Sequence, residues 1–356
     1  MTSAIPVHPS GETMKAVCFK GYGEGTEGLS VETIPKPFVS TPDEVLIKVY
    51  AAALNPIDKS RFHGSLSLII PEEYDTSVLG YDVSGVVEEV GDEAAKLFKA
   101  GDEVYVRLEG MKYGALAEYV VCSPPEIGKK PSNLTHVQAA AVPLAGLTAL
   151  QALRRGGVTE GSKVFIPAGA GGVGSLAIQI AKKMLKAGHV ATTASPGKGT
   201  DICKWAGADQ IIDYRSQSFE TVLAGEGFDM AFDTTNESAQ MGPILKEGSK
   251  VVCIAGAPTS EGVTASLGPQ SLVTRILLFA IRNRTAERAI QSVGASWEYI
   301  FMKPSGKDLN ELTPFLESGE IEPVIDTEAS SLEDFMVAVE KLFSGRAKGK
   351  CVVKVA

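Results

Sequence analysis

The sequence predicts an α/β protein with two domains, a β-barrel-like domain and a doubly wound parallel sheet. The chain has 356 residues, enough for two domains that each bury a core. Its first part, to about His136, contains several short valine-rich segments separated by Gly, Pro and Asp turns, which is typical of a compact β domain. From about Lys163 onward, strand and helix patterns alternate, which indicates βαβ units and a parallel sheet covered on both faces.

Composition and charge exclude several classes of protein. With 44% hydrophobic and 22% charged residues, the chain has the composition of a globular protein. The net charge of −9 argues against a nucleic-acid surface, because phosphate binding requires a basic face. The five cysteines form no C-x-x-C pair, which predicts buried thiols rather than a disulfide scaffold. We therefore expect a reducing compartment, the cytoplasm.

No segment is predicted to cross a membrane. The first thirteen residues, MTSAIPVHPSGET, contain neither an arginine nor a long apolar stretch, which predicts neither a secretory signal nor a transit peptide. No run approaches the ~20 apolar residues that span a bilayer. The apolar segment 271–284, SLVTRILLFAIRNR, is short and interrupted by Arg275 and Arg282. We interpret it as a core or subunit-contact element, and its role stays open.

The first part of the chain contains five strand signals and then one long helical pattern. Ala and Leu recur at helical spacing over 135–155, and this pattern ends at Gly156-Gly157. The predicted strands are KAVCF, EVLIKVYAAAL, DVSGVVEEVG, DEVYVRL and ALAEYVVC.

The second part contains alternating strands and helices, and the chain closes with two helices and a β segment. The predicted strands are KVFIPA, HVATTAS, QIIDY, FDMAFDTT, KVVCIAG, WEYIFM and the closing KGKCVVKVA. The predicted helices are GVGSLAIQIAKKML, GTDICKWAG, DLNELTPFLESGEI and SLEDFMVAVEKLFSG.

A glycine-rich turn lies between the first strand and the first helix of the alternating part. Gly169, Gly171 and Gly174 have G-x-G-x-x-G spacing, and the predicted helix begins at Val173. Small residues allow the backbone to approach a pyrophosphate, and the helix N-terminus offers free N–H groups and the positive end of its dipole. The context of a strand, glycines and a helix predicts a dinucleotide site. The alternative is a tight packing turn without a ligand.

The end of the second strand favours NADPH over NADH. An acidic residue there would bind the ribose 2′-hydroxyl of NAD, but no Asp or Glu occurs between Gly174 and Asp201. Ser195 and Lys198 follow the strand instead, and Tyr214 follows the next one. A hydroxyl and an ammonium suit a 2′-phosphate. The alternative is that Lys198 is a solvated loop residue.

The order and spacing of these segments resemble the medium-chain dehydrogenase/reductase superfamily, in its zinc-free quinone oxidoreductase (zeta-crystallin-like) and alkenal/enone reductase branch. The resemblance implies a GroES-like β-barrel catalytic domain at 1–138 and 311–356, and a Rossmann NADPH-binding domain at 139–310. It covers nearly all of the chain from Met14 to Ala356. Its landmarks are MKAVCF, VLIKVYAAALNPIDKSR, LGYDVSGVVEEVG, AGDEVY, GALAEYVV, AAAVPLAGLTALQAL, GAGGVGSLAIQIAK, GADQIIDY and GKCVVKV.

The chain departs from the zinc-dependent relatives at their ligand positions. Those relatives have a Cys where this chain has Asn55, and a His-Glu pair where it has Tyr81-Asp82. They also have four closely spaced cysteines before the Rossmann domain. In this chain, the corresponding segment from Asp92 to Tyr119 contains no cysteine. Tetrahedral zinc prefers Cys and His ligands, so we predict no metal site.

The resemblance also assigns roles to individual residues. Asn55 is implied to line the substrate and nicotinamide pocket, although an Asn before Pro often only shapes a turn. Asp58 and Asp82 are expected to be structural. Other positions implied to bind the cofactor are Thr148 and Ile254-Ala255-Gly256 at the nicotinamide, Ala170, Gly171, Gly172 and Val173 at the pyrophosphate, and Ser195, Lys198 and Tyr214 at the 2′-phosphate.

The activity implied is zinc-free, NADPH-dependent reduction of a quinone, with reduction of an alkenal or enone double bond as the alternative. Without a Lewis acid, alcohol oxidation is disfavoured. The tyrosine that such quinone oxidoreductases often carry after the N-x-x-D segment is missing. Tyr74 or Tyr113 could replace it, or the proton could come from water.

A binding role is a further alternative, because some zeta-crystallin relatives serve as lens proteins or bind RNA. The acidic charge and the lack of a basic, aromatic patch disfavour RNA. The resemblance implies a homodimer.

Overall fold

The computed structural model describes residues 8–67, 69, 77–109, 114–281 and 283–356, with the backbone alone at 265–267 and 281. These residues form two compact units. The first consists of Met1–Leu147, Pro304–Gly319 and Pro323–Ala356, and the second of Thr148–Lys303 and Glu320–Glu322.

Sixteen strands lie within the described residues. They are β1 (Thr13–Phe19), β2 (Ser30–Pro35), β3 (Val45–Leu54), β4 (Ser77–Val78), β5 (Asp82–Val90), β6 (Glu103–Arg107), β7 (Tyr119–Cys122), β8 (Ile127–Lys129), β9 (Lys163–Ile166), β10 (His189–Ala194), β11 (Gln210–Asp213), β12 (Phe228–Asp233), β13 (Leu245–Cys253), β14 (Ser296–Tyr299), β15 (Ile325–Ala329) and β16 (Lys350–Lys354).

Eleven α-helices lie in the same part of the chain. They are α1 (Pro56–Phe62), α2 (His136–Ala140), α3 (Pro143–Arg155), α4 (Gly172–Gln179), α5 (Lys198–Ala206), α6 (Phe219–Val222), α7 (Ser260–Leu267), α8 (Leu272–Ile281), α9 (Arg284–Gln291), α10 (Gly306–Glu317) and α11 (Met336–Phe343).

The first unit is built around the long strand β3. This strand pairs antiparallel with β16 and β5 in the strand order β15-β16-β3-β5-β6-β8, and β7 pairs with β3 outside this order as the seventh strand of the sheet. A smaller sheet has the order β2-β1-β4. Eight of the ten residues of β3 are buried, which explains its run of Val, Leu, Ile and Ala. The C-terminal strand β16 thus belongs to the β domain that begins the chain, as the GroES-like fold implied.

The second unit is a six-stranded parallel sheet with the order β11-β10-β9-β12-β13-β14. The chain adds strands on one side of β9 and then on the other, so the strand order reverses between β9 and β12. Its core contains Phe165, Phe228, Ala231 and Ile290, all fully buried. This is the order of a doubly wound dinucleotide-binding sheet, and it confirms the predicted fold class.

The predicted helix over 135–155 is two helices, α2 and α3. Proline lacks an N–H group and disfavours helical geometry in the residue before it, so α2 ends at Ala140 and Pro143 begins α3. The predicted helical pattern and its end before Gly156 are confirmed, but the apolar period did not show the break at this proline.

The apolar segment 271–284 forms α8 and the beginning of α9, and Arg282 lies outside the described residues. Leu278 is buried, but Leu272, Val273 and Ile276 are more than half exposed. The interpretation of α8 as a core element is therefore wrong for most of its described side chains, and the subunit-contact alternative remains a prediction. Among the described residues, no helix is long and apolar enough to cross a lipid bilayer.

Gly85 is predicted to be essential for the packing of β5 on β3. It pairs with Val49 beside a register shift, and a Cβ atom at Gly85 would lie 2.1 Å from the Lys48 carbonyl oxygen. We expect Gly85→Ala to lower the free energy of unfolding by about 1–3 kcal/mol, because the clash is with backbone. Urea denaturation measures the loss. Glu89→Ala, at an exposed position of the same strand, is the control, and an equal loss in both variants would contradict the explanation.

Candidate active site

The glycine turn after β9 is held by packing that excludes larger side chains. A Cβ atom on Gly169 would lie 2.1 Å from Thr192 Oγ1, and one on Gly174 would lie 2.3 Å from the Ala168 carbonyl oxygen. Ala168 itself adopts a left-handed conformation with φ 54°, and its N–H donates to Thr193 Oγ1 at 2.9 Å. Gly169 and Gly174 are therefore required by the turn's own packing.

Gly171 differs from these two, because a Cβ there would approach only the Ala168 carbonyl oxygen, at 3.3 Å. It is the N-cap of α4, and no described side chain caps this helix. The residues Gly171, Gly172 and Val173 are half-buried, whereas Ala170 is buried. The N-terminal amide groups of α4 thus have no side-chain acceptor, and they suit an anionic ligand such as a pyrophosphate.

Ser195 and Tyr214 follow neighbouring strands at the same edge of the sheet. Ala194 of β10 is paired with Asp213 of β11, and the two residues come directly after this pair. Ser195 is buried and its carbonyl oxygen accepts a hydrogen bond from Thr200 N at 3.0 Å, while Tyr214 is 58% exposed. The parallel sheet therefore brings these two predicted residues close together.

Lys198 is the first residue of α5 and is exposed. The preceding Gly197 has φ 72°, which lets the chain turn from β10 into the helix. Asp213 is the acidic group at this edge of β11, and its carboxylate accepts from Arg215 N at 3.0 Å and Ser216 Oγ at 2.9 Å. That carboxylate is occupied by its own turn.

The loop after β12 contains residues that the sequence analysis did not identify. Thr234 donates its hydroxyl proton to the Pro167 carbonyl oxygen at 3.0 Å, which links the β12 and β9 loops where the strand order reverses. The buried Asp233 carboxylate shapes this loop by accepting from the backbone N–H groups of Thr235 and Ser238 at 3.0 and 2.8 Å. The run DTT at the end of a predicted strand was the signal that could have revealed them.

Ile254, Ala255 and Gly256 follow β13 at the same edge. Ile254 N donates to the Asp233 carbonyl oxygen at 3.1 Å, and Gly256 has φ 79°. A Cβ on Gly256 would lie 2.2 Å from Oδ1 of Asn236, which is itself left-handed with φ 65°. The loops after β12 and β13 are therefore in close contact.

The carboxyl edge of this sheet thus collects most of the residues implied to bind a cofactor. Strands in a sheet are about 4.8 Å apart, so the loops after β11 and β13, four strands apart, are separated by roughly 19 Å. A single ligand that reaches both loops has to be elongated, as a dinucleotide is. Thr148 lies in α3 and is buried.

In the first unit, Asn55 lies in a buried network of charged side chains. It directly follows β3, and its amide Nδ2 donates to Asp82 Oδ2 at 2.9 Å. Lys350 donates to the same Asp82 oxygen at 2.9 Å and also to Asn55 Oδ1. The other oxygen, Asp82 Oδ1, accepts from Leu144 N at 2.8 Å and so caps the beginning of α3.

Strand pairing explains why these residues meet. Leu54 is paired with Cys351, and Ala53 is paired with Asp82. Asn55, which follows Leu54, is therefore next to Lys350, which precedes Cys351. Asn55 also lies beside the start of β5. Sequence reasoning missed Lys350 because it lies 295 residues from Asn55, among polar residues that looked solvated.

Asp58 completes the N-terminus of α1. Its Oδ2 accepts from Asn55 N at 2.7 Å, which is one half of a capping box, and its Oδ1 accepts from Gly80 N at 3.0 Å. Burial raises the pKa of Asp58 to about 6, although its hydrogen bond with the Asn55 N–H and the charge of Arg61 both lower it. The structural roles expected of Asp58 and Asp82 agree with these contacts.

The tyrosines considered as proton donors, Tyr74 and Tyr113, lie outside the described residues. All five cysteines are buried thiols, as predicted, and burial raises the pKa of Cys253 to about 12. Within the described ranges, no group of three or more His, Cys, Asp or Glu side chains is arranged to hold a metal ion.

The raised pKa of Asp58 predicts a pH dependence of stability. An unfolded Asp titrates near 3.8 and the folded one near 6, so the folded state binds the extra proton between these values. The contribution of Asp58 to the free energy of unfolding is therefore lost as the pH rises from about 4 to 6.5, by up to about 3 kcal/mol. The Asp58→Asn variant should lack this contribution.

The measurement is urea denaturation of both proteins across this pH range. Asp43→Asn, which removes an exposed carboxylate of the same unit, controls for the loss of one charge. A constant difference between wild type and Asp58→Asn from pH 4 to pH 6.5 would mean that Asp58 does not titrate in this range.

Comparison with known proteins identifies the family. Residues 41–132 match the family model described as "Alcohol dehydrogenase GroES-like domain", and residues 206–353 match the one described as "Zinc-binding dehydrogenase". The chain is 36% identical over 348 residues to a 2-methylene-furan-3-one reductase of Solanum lycopersicum, an alignment that covers 96% of this chain and 79% of the relative.

It is also 36% identical over 352 residues to a chloroplastic NADPH-dependent alkenal/one oxidoreductase of Arabidopsis thaliana, with coverage of 96% and 79%. The solved structure of the quinone oxidoreductase from Coxiella burnetii superimposes with a TM-score of 0.79 at 30% identity, covering 97% of this chain and all of the other. The fold, the glycine turn and these matches agree, and the chain belongs to the medium-chain dehydrogenase/reductase family of oxidoreductases.

Proposed function

We propose that this protein is an NADPH-dependent reductase that transfers a hydride, without zinc, to acceptors whose double bond is conjugated to a carbonyl group. Two acceptor classes fit this description, quinones and alkenals or enones. The observation that carries the proposal is the carboxyl edge of the parallel sheet, where the uncapped N-terminus of α4 lies between loops that supply a hydroxyl, a lysine and left-handed glycines.

Cofactor binding follows from the residues at this edge. Gly171, Gly172 and Val173 would hold the pyrophosphate through backbone N–H groups, with Ala170 buried behind them. At the nicotinamide end, the proposed residues are Thr148, Ile254, Ala255 and Gly256. A Cβ atom on Gly171 would meet the protein's own packing at 3.3 Å, a milder contact than at Gly169 or Gly174, and a small residue here also allows the close approach of a ligand.

The choice of NADPH depends on Ser195, Lys198 and Tyr214. Asp213, the carboxylate next to this group, is bonded within its own turn and is not in the position of an acid that follows β10. An exposed lysine three residues after a serine favours a 2′-phosphate. These residue types support NADPH over NADH.

The proposed hydride transfer requires correct positioning of the cofactor and the acceptor more than chemical activation of the acceptor. Bound NADPH supplies a hydride from C4 of its nicotinamide ring. In an enone, the hydride bonds to the carbon distant from the carbonyl, the double-bond electrons move to the carbonyl oxygen, and a proton from water completes the saturated product. In a quinone, one hydride and one proton give the hydroquinone. Neither product requires a tuned acid, because both enolate and hydroquinone anions accept a proton from water.

The side chains at the zinc-ligand positions support a reaction without zinc. The amide of Asn55 stands in place of a thiolate, and the carboxylate of Asp82 is neutralised by Lys350 and bonded on both oxygens. Amide and neutralised carboxylate groups are poor ligands for tetrahedral zinc, which prefers thiolate and imidazole.

The relatives favour the alkenal and enone class over the quinone class that we expected first. The two relatives at 36% identity are named for a furanone and for alkenals, whereas the quinone oxidoreductase structure is 30% identical. A homodimer, a cytoplasmic location and the absence of an RNA-binding role stay predictions.

The acceptor class predicts the result of a steady-state assay. We expect NADPH oxidation by the purified chain in the presence of 2-hexenal and of 9,10-phenanthrenequinone, with the higher kcat/KM for the alkenal. NADPH absorbance measures the rate, and product analysis by mass spectrometry should show hexanal, which proves reduction of the carbon–carbon bond. No turnover with either acceptor would contradict the proposed function.

The charge of Lys198 predicts the cofactor preference. We expect Lys198→Glu to raise the KM for NADPH by tenfold or more and to leave the KM for NADH nearly unchanged, because a carboxylate repels the 2′-phosphate. Lys204→Glu makes the same charge change at an exposed position later in α5 and is the control. If the NADPH/NADH preference of Lys198→Glu equals that of wild type, Lys198 does not bind the phosphate.

A further inference from the structure

Lys350 is a buried lysine whose ammonium group contacts the two residues at the centre of the first unit's polar network. Its side chain is 5% exposed, and Asp82 is fully buried. A buried ammonium is costly unless a charge and hydrogen bonds compensate it. Here the compensation comes from Asp82 Oδ2 at 2.9 Å and from the amide oxygen of Asn55.

These two partners leave the Asn55 amide only one orientation. An ammonium group can only donate, so the atom facing Lys350 must be Oδ1. A carboxylate accepts, so the atom facing Asp82 must be Nδ2. A rotation of the amide by 180° would place two donors together and two acceptors together, and would lose both hydrogen bonds.

The fixed orientation leaves one N–H of Asn55 weakly bonded. Its first Nδ2 hydrogen points to Asp82, and the other contact of Nδ2 is the Ala53 carbonyl oxygen at 3.5 Å. This distance is beyond the usual range of about 2.7–3.2 Å for such a bond. The second hydrogen can therefore be given to a better acceptor.

We propose that Lys350 is a positioning residue, which together with Asp82 aims this N–H of Asn55 at the carbonyl oxygen of the acceptor. The inference rests on the proposed function and on the role that the family resemblance implies for Asn55, a residue that lines the substrate pocket. Negative charge develops on the carbonyl oxygen during hydride transfer, and a pre-aligned N–H donor stabilises it more than it stabilises the bound substrate. Lys350 therefore acts on kcat through Asn55 and not on the binding of NADPH.

The first test removes the network without leaving a buried charge unpaired. The double variant Lys350→Met/Asp82→Asn loses one positive and one negative group, so the amide of Asn55 is no longer forced into one orientation. We expect kcat for 2-hexenal to fall at least tenfold, with the Kd for NADPH within twofold of wild type. Lys354→Met, which removes an exposed ammonium from the same strand, is the control and should keep the wild-type kcat.

A second variant separates positioning from structural support. Asn55→Asp/Asp82→Asn keeps the charge count, and Lys350 and the new amide can still bond to the new carboxylate. A purely structural network would preserve kcat in this folded variant. The proposal expects a loss of at least tenfold, because a carboxylate at residue 55 cannot donate to the carbonyl oxygen. If Lys350→Met/Asp82→Asn does not fold, wild-type kcat in this variant still overturns the proposal.

The outcomes distinguish the inference from the proposed function. Wild-type kcat in either folded double variant, together with a low kcat in Asn55→Ala, would overturn the role of Lys350 and leave the pocket role of Asn55 intact. Wild-type kcat in Asn55→Ala would overturn the role of Asn55 and the positioning with it. Absence of turnover by the wild type would overturn the proposed function, and the inference would fall with it.

Discussion

The carboxylate of Asp82 is the interaction on which the first unit most depends. It is fully buried and accepts three hydrogen bonds, from the Asn55 amide, the Lys350 ammonium and the Leu144 backbone N–H. These partners belong to the start of α1, the strand β16 and the start of α3. One side chain thus connects segments that are far apart in the sequence. Replacing it by a neutral residue would leave the ammonium of Lys350 without a counter-charge, which is costlier than losing a single hydrogen bond.

The second unit depends on a constraint of another kind, the direction of its strands. All six strands of its sheet run parallel, so every loop that follows a strand comes out at one edge. Nothing else is needed to bring the glycine turn, Ser195, Tyr214 and Ile254 to the same side. The buried Asp233 and the left-handed Asn236 then shape the loops at the point where the strand order reverses.

Much of this arrangement could be predicted from the sequence, because its signals are local. The glycine turn is visible in six residues, and the alternating strands and helices determine the parallel sheet. The break at Pro143 was missed because apolar periodicity was given more weight than a single proline. The exposure of Leu272 and Val273 could not be predicted, because hydrophobic pattern indicates that a face needs a partner but not whether the same chain supplies it. Lys350 could not be predicted either, since no local pattern relates it to Asn55, 295 residues away.

The two units therefore differ in what their sites require of the sequence. The edge of the parallel sheet presents backbone N–H groups from a tightly packed turn, so it constrains residue size and backbone conformation, as at Gly169 and Gly174. The Asn55 network acts through side-chain charge, so it requires charged side chains at Asp82 and Lys350. Apolar side chains of similar size would fit at these positions but would lack the charge. An apolar replacement of Asp82 and Lys350 could give an equally stable core, because buried ion pairs add little net stability. What an apolar core cannot do is decide which end of the Asn55 amide faces which neighbour, and that directional control is the physical reason to retain a buried charge pair at this position.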